Sequence, residues 1–135
     1  MKTLVWFRND LRIHDNPALK AACQNSSIVS AIFIFSQKQF EEHNESNVKI
    51  NFLIQNLFHL SKKLSKLNIP LTIISSSGFN EDPKHIEKVC KDREITKVFC
   101  NSQFGIDEEL RDLSVKNTLE KNNIKWESFH DQVIY

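Results

Sequence analysis

Apolar positions along this chain change their period repeatedly, and the changes mark its elements. Leu4 to Phe7 is a short apolar run, and Ile28 to Phe35 (IVSAIFIF) a longer one. Leu71–Ile74, Val98–Cys100 and Ile124–Trp126 complete five strand candidates. Most are near-continuous in β-branched and aromatic residues, which predicts strands covered on both faces. Helical patterns lie between them. Asn16-Pro17 is a start signal: Asn caps well, Pro suits the first turn, and the residue before Pro is held out of the helical region. From about Asn47 to Leu67, the residues Leu53, Leu57, Leu60, Leu64 and Leu67 form one continuous helical stripe. Phe52, Ile54 and Phe58 widen it and predict contact with more than one neighbour. Asp82-Pro83 opens a shorter helix up to Lys91. The last helix runs from about Ile106 to Lys121, with Asp107, Glu108 and Glu109 in the first turn, where the helix dipole favours acids.

Strand alternating with helix to the end predicts a parallel sheet with helices on both faces. Sheets of this kind work beyond the carboxyl ends of their strands. That puts Arg8–Asp15, Ser36–Ser46, Ser75–Glu81 and Asn101–Glu108 along one rim. The expected architecture is a Rossmann-like α/β fold, a five-stranded parallel sheet in the order 3-2-1-4-5. Its 135 residues suit a single domain over 1–135.

Composition narrows the functions. Hydrophobic residues make up 40% and charged residues 26%, and the formal net charge is +1. This is not the footprint of a domain that holds nucleic acid by itself. Apolar stretches are too short and interrupted to span a membrane. Charges arrive at once in MKTLVWFRND, where a signal peptide would need its apolar region, so the expected location is the cytoplasm. Cys23, Cys90 and Cys100 stand far apart, form no CxxC, and share no ligand spacing with the five histidines. They read as small buried thiols in a reducing compartment. No metal site and no catalytic nucleophile are expected.

The rim lacks phosphate chemistry of the familiar kinds. A dinucleotide fold would need a glycine-rich turn after the first strand, but the chain's two glycines are Gly78 and Gly105. Walker A is absent. The SSSG at 75–78 reads as an ordinary post-strand turn more readily than as a phosphate loop. No nucleophile elbow frames any serine. Arg8, Asp10, Arg12, His14 and Asp15 leave two readings: they bind an anion, or they neutralise one another, with Asp15 helping to cap the helix at Pro17 and Arg8 with Asp10 tying the loop.

The stretch WFRNDLRIHDNPAL (6–19) resembles the opening of the DNA photolyase and cryptochrome family, WFRxDLRxxDNxAL. Trp6, Phe7, Arg8, Asp10, Leu11, Arg12, Asp15, Asn16, Ala18 and Leu19 match its fixed positions. FLIQNLFHLSKKL (52–64) resembles the family's FLxxSLxxLxxxL helix, with Asn56 in place of Ser. IPL at 69–71 and RD at 111–112 also fall in place. EEHNES and the closing DQVIY look most like bacterial class I cyclobutane pyrimidine dimer photolyases of the folate type.

The resemblance implies an antenna domain: an N-terminal α/β unit that holds a light-harvesting chromophore against a helical domain. That helical domain would bind FAD and damaged DNA, and it is expected to be missing from this chain. The chain alone is therefore expected to be inactive, with no catalytic residues of its own and a tendency to self-associate through the uncovered face. By position, the resemblance carries over His43, Asp107 and Glu108 as contacts to methenyltetrahydrofolate. Relatives often have Asn where Asp107 stands. A carboxylate such as Glu108 suits a pterin, because it accepts two adjacent N–H donors at once. A plain surface role remains open for both His43 and Glu108. The competing functions are a stand-alone nucleotide-binding α/β module, which would usually carry a late glycine-rich loop, and the same half of a cryptochrome-type photoreceptor.

Overall fold

The computed structural model describes residues 1–36 and 47–130. The elements are β1 (Lys2–Phe7), α1 (Pro17–Asn25), β2 (Ile28–Ser36), α2 (Asn47–Lys66), β3 (Leu71–Ser76), α3 (Asp82–Asp92), β4 (Lys97–Asn101), α4 (Ile106–Lys121) and β5 (Lys125–Phe129). One 3₁₀ turn, Phe79–Glu81, leads into α3. All four strand pairings are parallel, and the order is β3-β2-β1-β4-β5. The expected architecture is therefore the observed one, with the order switching direction beside β1.

Alternation along β1 divides the core in two. Leu4 and Trp6 face one side, where they meet Ile86 and Cys90 of α3 and Val115 and Leu119 of α4. Val5 and Phe7 face the other, against Ala18, Leu19 and Ala22 of α1 and Leu60 and Leu64 of α2. β1 is fully sandwiched from Thr3 to Phe7. The outer strands β3 and β5 are only partly covered, because each has a neighbour on one side alone. Edge position therefore exposes strands that composition alone predicts as covered.

Local signals explain most boundaries. Asn16 caps α1 by accepting from the Leu19 N–H, and Pro17 is its first residue. Asp15 does not cap: it sits exposed at φ +49°, and its own carbonyl accepts from Arg12 Nη2 at 2.9 Å. On α2 the stripe holds at Leu57, Leu60 and Leu64, while Leu53 is half-buried. Leu67 lies past the helix end and is half exposed; Phe52, Ile54 and Phe58 are also exposed, so the second neighbour expected for α2 is not found among the described residues. Cys90 and Cys100 are buried, and burial pushes both thiols up to about 12. Cys23 is exposed, against expectation, because it lies on the outer side of α1.

Candidate functional site

The carboxyl ends of β1, β3 and β4 carry two different clusters. The first grows out of β1. Period-two alternation sends Arg8 to the same side as Trp6, so its guanidinium lies over the buried indole at 4.6 Å. Arg111, on the inner face of α4, approaches the same ring at 4.8 Å and the Phe79 ring at 4.6 Å. Cations over aromatic faces are favoured electrostatically, more so when desolvated. One oxygen of Asp112 joins the two arginines: Arg8 Nη1 donates to it at 2.7 Å and Arg111 Nε at 3.1 Å. Arg8 Nη2 donates to the Asn101 carbonyl, and Arg111 Nη2 to Gln103.

Asp10 turns the loop by accepting the Arg8 N–H at 2.9 Å. The side chain of Asn101, from the end of β4, then locks that loop to α1. Its amide donates to Asp10 Oδ2 at 2.6 Å and Asn16 Oδ1 at 2.7 Å, and its carbonyl accepts the Ala18 N–H at 3.1 Å. Arg8, Asp10, Asn16, Asn101 and Arg111 are all buried. Arg8 and Asp10 are thus engaged inside the protein, while Arg12, His14 and Asp15 stay exposed. Of the two readings of this motif, the geometry supports internal engagement for Arg8 and Asp10.

Asp82, at the start of α3, sits beside this cluster and is only 2% exposed. Asp112 is the carboxylate that pairs with both arginines. Burial outweighs the attraction of Arg111 and pushes Asp82 up to about 6. Burial, reinforced by Arg8, lowers Arg111. Ser76 Oγ lies 2.9 Å from the Gly78 carbonyl and 3.3 Å from Asp82 Oδ1. The SSSG stretch is therefore a closed turn with its buried hydroxyl already engaged, and not an open phosphate loop.

The second cluster opens α4, on the same rim and next to the first. Gly105 precedes the helix at φ +135°, a conformation that side chains rarely adopt. The Glu108 carboxylate folds back over it: a Cβ on Gly105 would collide with Glu108 Oε2. Glu108 is half-buried and Asp107 exposed. The structure brings these two predicted residues together in one helical turn, whose N–H groups favour negative charge. His43 lies outside the described residues, as does most of the Ser36–Ser46 rim segment. Next to Glu108, Phe104 is 51% exposed and stacks on His130, with ring centroids 6.1 Å apart and planes at 17°. Sequence reasoning missed this pair. An aromatic just beyond a buried strand was the only available signal, and His130 carried none. Among the described residues, no group of three or more His, Cys, Asp or Glu is placed to hold a metal, and no helix is long and apolar enough to cross a membrane.

A doubly wound parallel domain with an acidic, open helix start and no glycine-rich turn after β1 has the Rossmann-like skeleton without dinucleotide-binding chemistry. Comparison with known proteins makes the class specific. The sequence model of the DNA photolyase family matches residues 3–135, and the chain belongs to that family. It is 38% identical over 135 residues to a deoxyribodipyrimidine photo-lyase of Buchnera aphidicola from Acyrthosiphon pisum, covering 99% of this chain and 28% of that protein. The Escherichia coli enzyme of the same name is 38% identical over 132 residues, again covering 28% of its length. Arabidopsis thaliana cryptochrome-2 is 32% identical over 134 residues and 21% of its length. The chain thus spans little more than a quarter of the photo-lyases it matches. Among solved structures, the Synechocystis cryptochrome shares the fold with a TM-score of 0.83 at 22% identity, over 96% of this chain and 27% of the other. The Sulfolobus tokodaii photolyase shares it at 0.80 and 21% identity, over 96% and 29%. That structure contains two FAD molecules and implicates a novel light-harvesting cofactor. The fold is that of photolyase N-terminal domains.

Proposed function

We propose that this chain is the antenna domain of a deoxyribodipyrimidine photolyase, reading a methenyltetrahydrofolate chromophore at the open start of α4. The single observation that carries this is Glu108: a half-buried rim carboxylate, free of ion pairs among the described residues, in a chain matched to the family from residue 3 onward. The donor set fits the group. A pterin edge presents adjacent N–H donors, and Glu108 accepts two of them with its two oxygens. Asp107, one residue earlier, adds a second acceptor on the exposed side. Gly105 leaves room for the carboxylate to turn, since any side chain there would collide with it. His43, carried over from the family resemblance, belongs to the same proposed set.

When bound, the folate absorbs light and passes its excitation to FAD. The FAD, the damaged DNA and the chemistry of dimer repair belong to a helical domain outside residues 1–135. The β1 hub serves the same reading indirectly, by holding β1, β4, α1 and α4 in fixed relation beneath the rim.

The test uses the family-length protein that carries this domain. Losing a hydrogen bond to a charged partner costs about 1.5–3 kcal/mol, roughly 10- to 100-fold in affinity. Glu108→Ala should therefore lose most antenna absorbance, while FAD stays bound and direct flavin-driven repair continues. His43→Ala should weaken folate binding less, having no buried charge behind it. Unchanged folate occupancy in Glu108→Ala would refute the assignment. The cryptochrome reading is favoured only by the 32% identity to cryptochrome-2. A dimer-repair assay separates the two.

A further inference from the structure

α4 begins without a side-chain cap. Gly105 occupies the capping position and has no side chain to accept the free N–H groups of the first turn. Residues 102–105 alone lead from β4 into the helix. Backbone bonds hold the two ends of this connection: the Ser102 N–H donates to the Phe129 carbonyl at 2.7 Å, and the Glu109 N–H to the Gly105 carbonyl at 2.9 Å. Between them the half-buried Gln103 side chain reaches into the fold, where its amide oxygen accepts from Arg111 Nη2.

Arg111 is a fixed post for that bond. It is buried, its Nε donates to Asp112 Oδ1 at 3.1 Å, and its guanidinium lies over the Trp6 and Phe79 rings at 4.8 and 4.6 Å. A guanidinium donates from a rigid planar fork. With Nε on Asp112 and the group packed on two rings, the direction of Nη2 is settled. Arg111 also follows Glu108 by less than one turn of the same helix. The bond therefore closes a ring from 103 to 111 that contains Phe104, Gly105 and Glu108.

We infer that Gln103 is a positioning residue for the Glu108 carboxylate: held by Arg111, it keeps Gly105 in the conformation over which that carboxylate folds. Gln103 itself touches no ligand and acts at one remove, as the residues that support a binding constellation do. The inference rests on the antenna reading for the ligand alone, since the placement of Glu108 belongs to the chain. Side-chain length and acceptor are both needed. Met has nearly the length of Gln and no comparable acceptor, whereas Glu keeps the acceptor and strengthens its bond to a guanidinium.

Spectra of the ¹³C,¹⁵N-labelled 135-residue chain test the placement with no ligand present. Gln103→Met should move the Glu108 carboxyl carbon and the Glu109 amide, both well away in sequence from the substitution. Gln103→Glu should return them toward wild type. Ser102→Ala keeps the backbone bond to Phe129 and should leave both signals in place. Circular dichroism should show unchanged helix content in all three. In the family-length protein, Gln103→Met should weaken methenyltetrahydrofolate binding roughly 2- to 10-fold, the net worth of one hydrogen bond, and Gln103→Glu should bind close to wild type. A Glu108 carboxyl signal unmoved by Gln103→Met would overturn the inference, as would a shift that Gln103→Glu fails to reverse. Undiminished folate binding by Gln103→Met, in a protein where Glu108→Ala loses it, would overturn it too. If the ligand-free signals move as expected while neither Gln103→Met nor Glu108→Ala alters folate occupancy, the antenna reading falls and the positioning of Glu108 by Gln103 stands.

Discussion

Two parts of the same rim, residues 8–16 after β1 and the outward face of residues 104–113 around the start of α4, are both rich in charge and yet differ in kind. In the first, the groups that bond across the fold are turned inward, while Asn9, Arg12, His14 and Asp15 stay exposed. Arg8, Asp10 and Asn16 are buried, and Asn101 alone satisfies an aspartate, an asparagine and a helix N–H. In the second, Asp107 and Glu109 are exposed, Glu108 is half-buried against a glycine, and Phe104, Ile106, Leu110 and Leu113 stand out in solvent. The contrast teaches that charge density at the functional edge of a parallel sheet does not locate a ligand site.

Removing Asn101 should separate the two regions most sharply. Asn101→Ala leaves the buried Asp10 carboxylate and the Ala18 N–H each short of a partner, at about 1–3 kcal/mol apiece. A fall of about 3 kcal/mol in unfolding free energy is expected from urea titration. A loss below about 1 kcal/mol would mean that the hub is wired less tightly than its distances imply.

The hub should also leave a mark on pH dependence. Asp82 titrates near 6 in the folded protein and near 3.8 when unfolded. Between those values the folded state holds more protons, so stability is greatest below about pH 4 and declines as pH rises through 6. A shift of this size corresponds to a difference on the order of 2–3 kcal/mol. Thermal melts from pH 4 to 7 should show that decline in the wild type and a flatter profile in Asp82→Asn, which should be the more stable protein at pH 7. If the two profiles run parallel, Asp82 is not the group responsible.

Much of this architecture was legible in the sequence, for local reasons. Continuous apolar runs gave the strands, the leucine stripe gave α2, and Asn16-Pro17 gave the start of α1. The hub was not legible, because its bonds join residues 83 to 104 positions apart and no periodicity connects Asn101 to Asp10 or Arg8 to Asp112. Adjacency to the helix makes Asp15 a candidate helper of the cap, but of the two Asn16 is the one whose side chain accepts a helix N–H. On α4, three acids in the first turn drew attention to charge and concealed the exposed apolar residues Ile106, Leu110 and Leu113. The acidic pair Asp107 and Glu108 came from family resemblance, and the structure adds Gly105 and Phe104 beside them.

Substitutions at the α4 start should cost less stability than those in the hub. Gly105→Ala must hold a side chain at φ +135° and push Glu108 aside, which should cost about 1–2 kcal/mol and displace the carboxylate. A variant as stable as the wild type would show that the glycine conformation is incidental. Glu108→Ala should change stability by no more than about 0.5 kcal/mol, the usual effect of a surface substitution. A large loss there would make Glu108 structural and erase the distinction between the two regions.

The most direct test of that distinction is a titration of the ¹⁵N-labelled chain with methenyltetrahydrofolate, followed by amide chemical shifts. Binding should be weak, because a ligand held on one wall stays wet on the other. The shifts should concentrate at residues 104–109 and leave residues 8–16 still. Shifts centred on the loop after β1, with the start of α4 silent, would contradict the account.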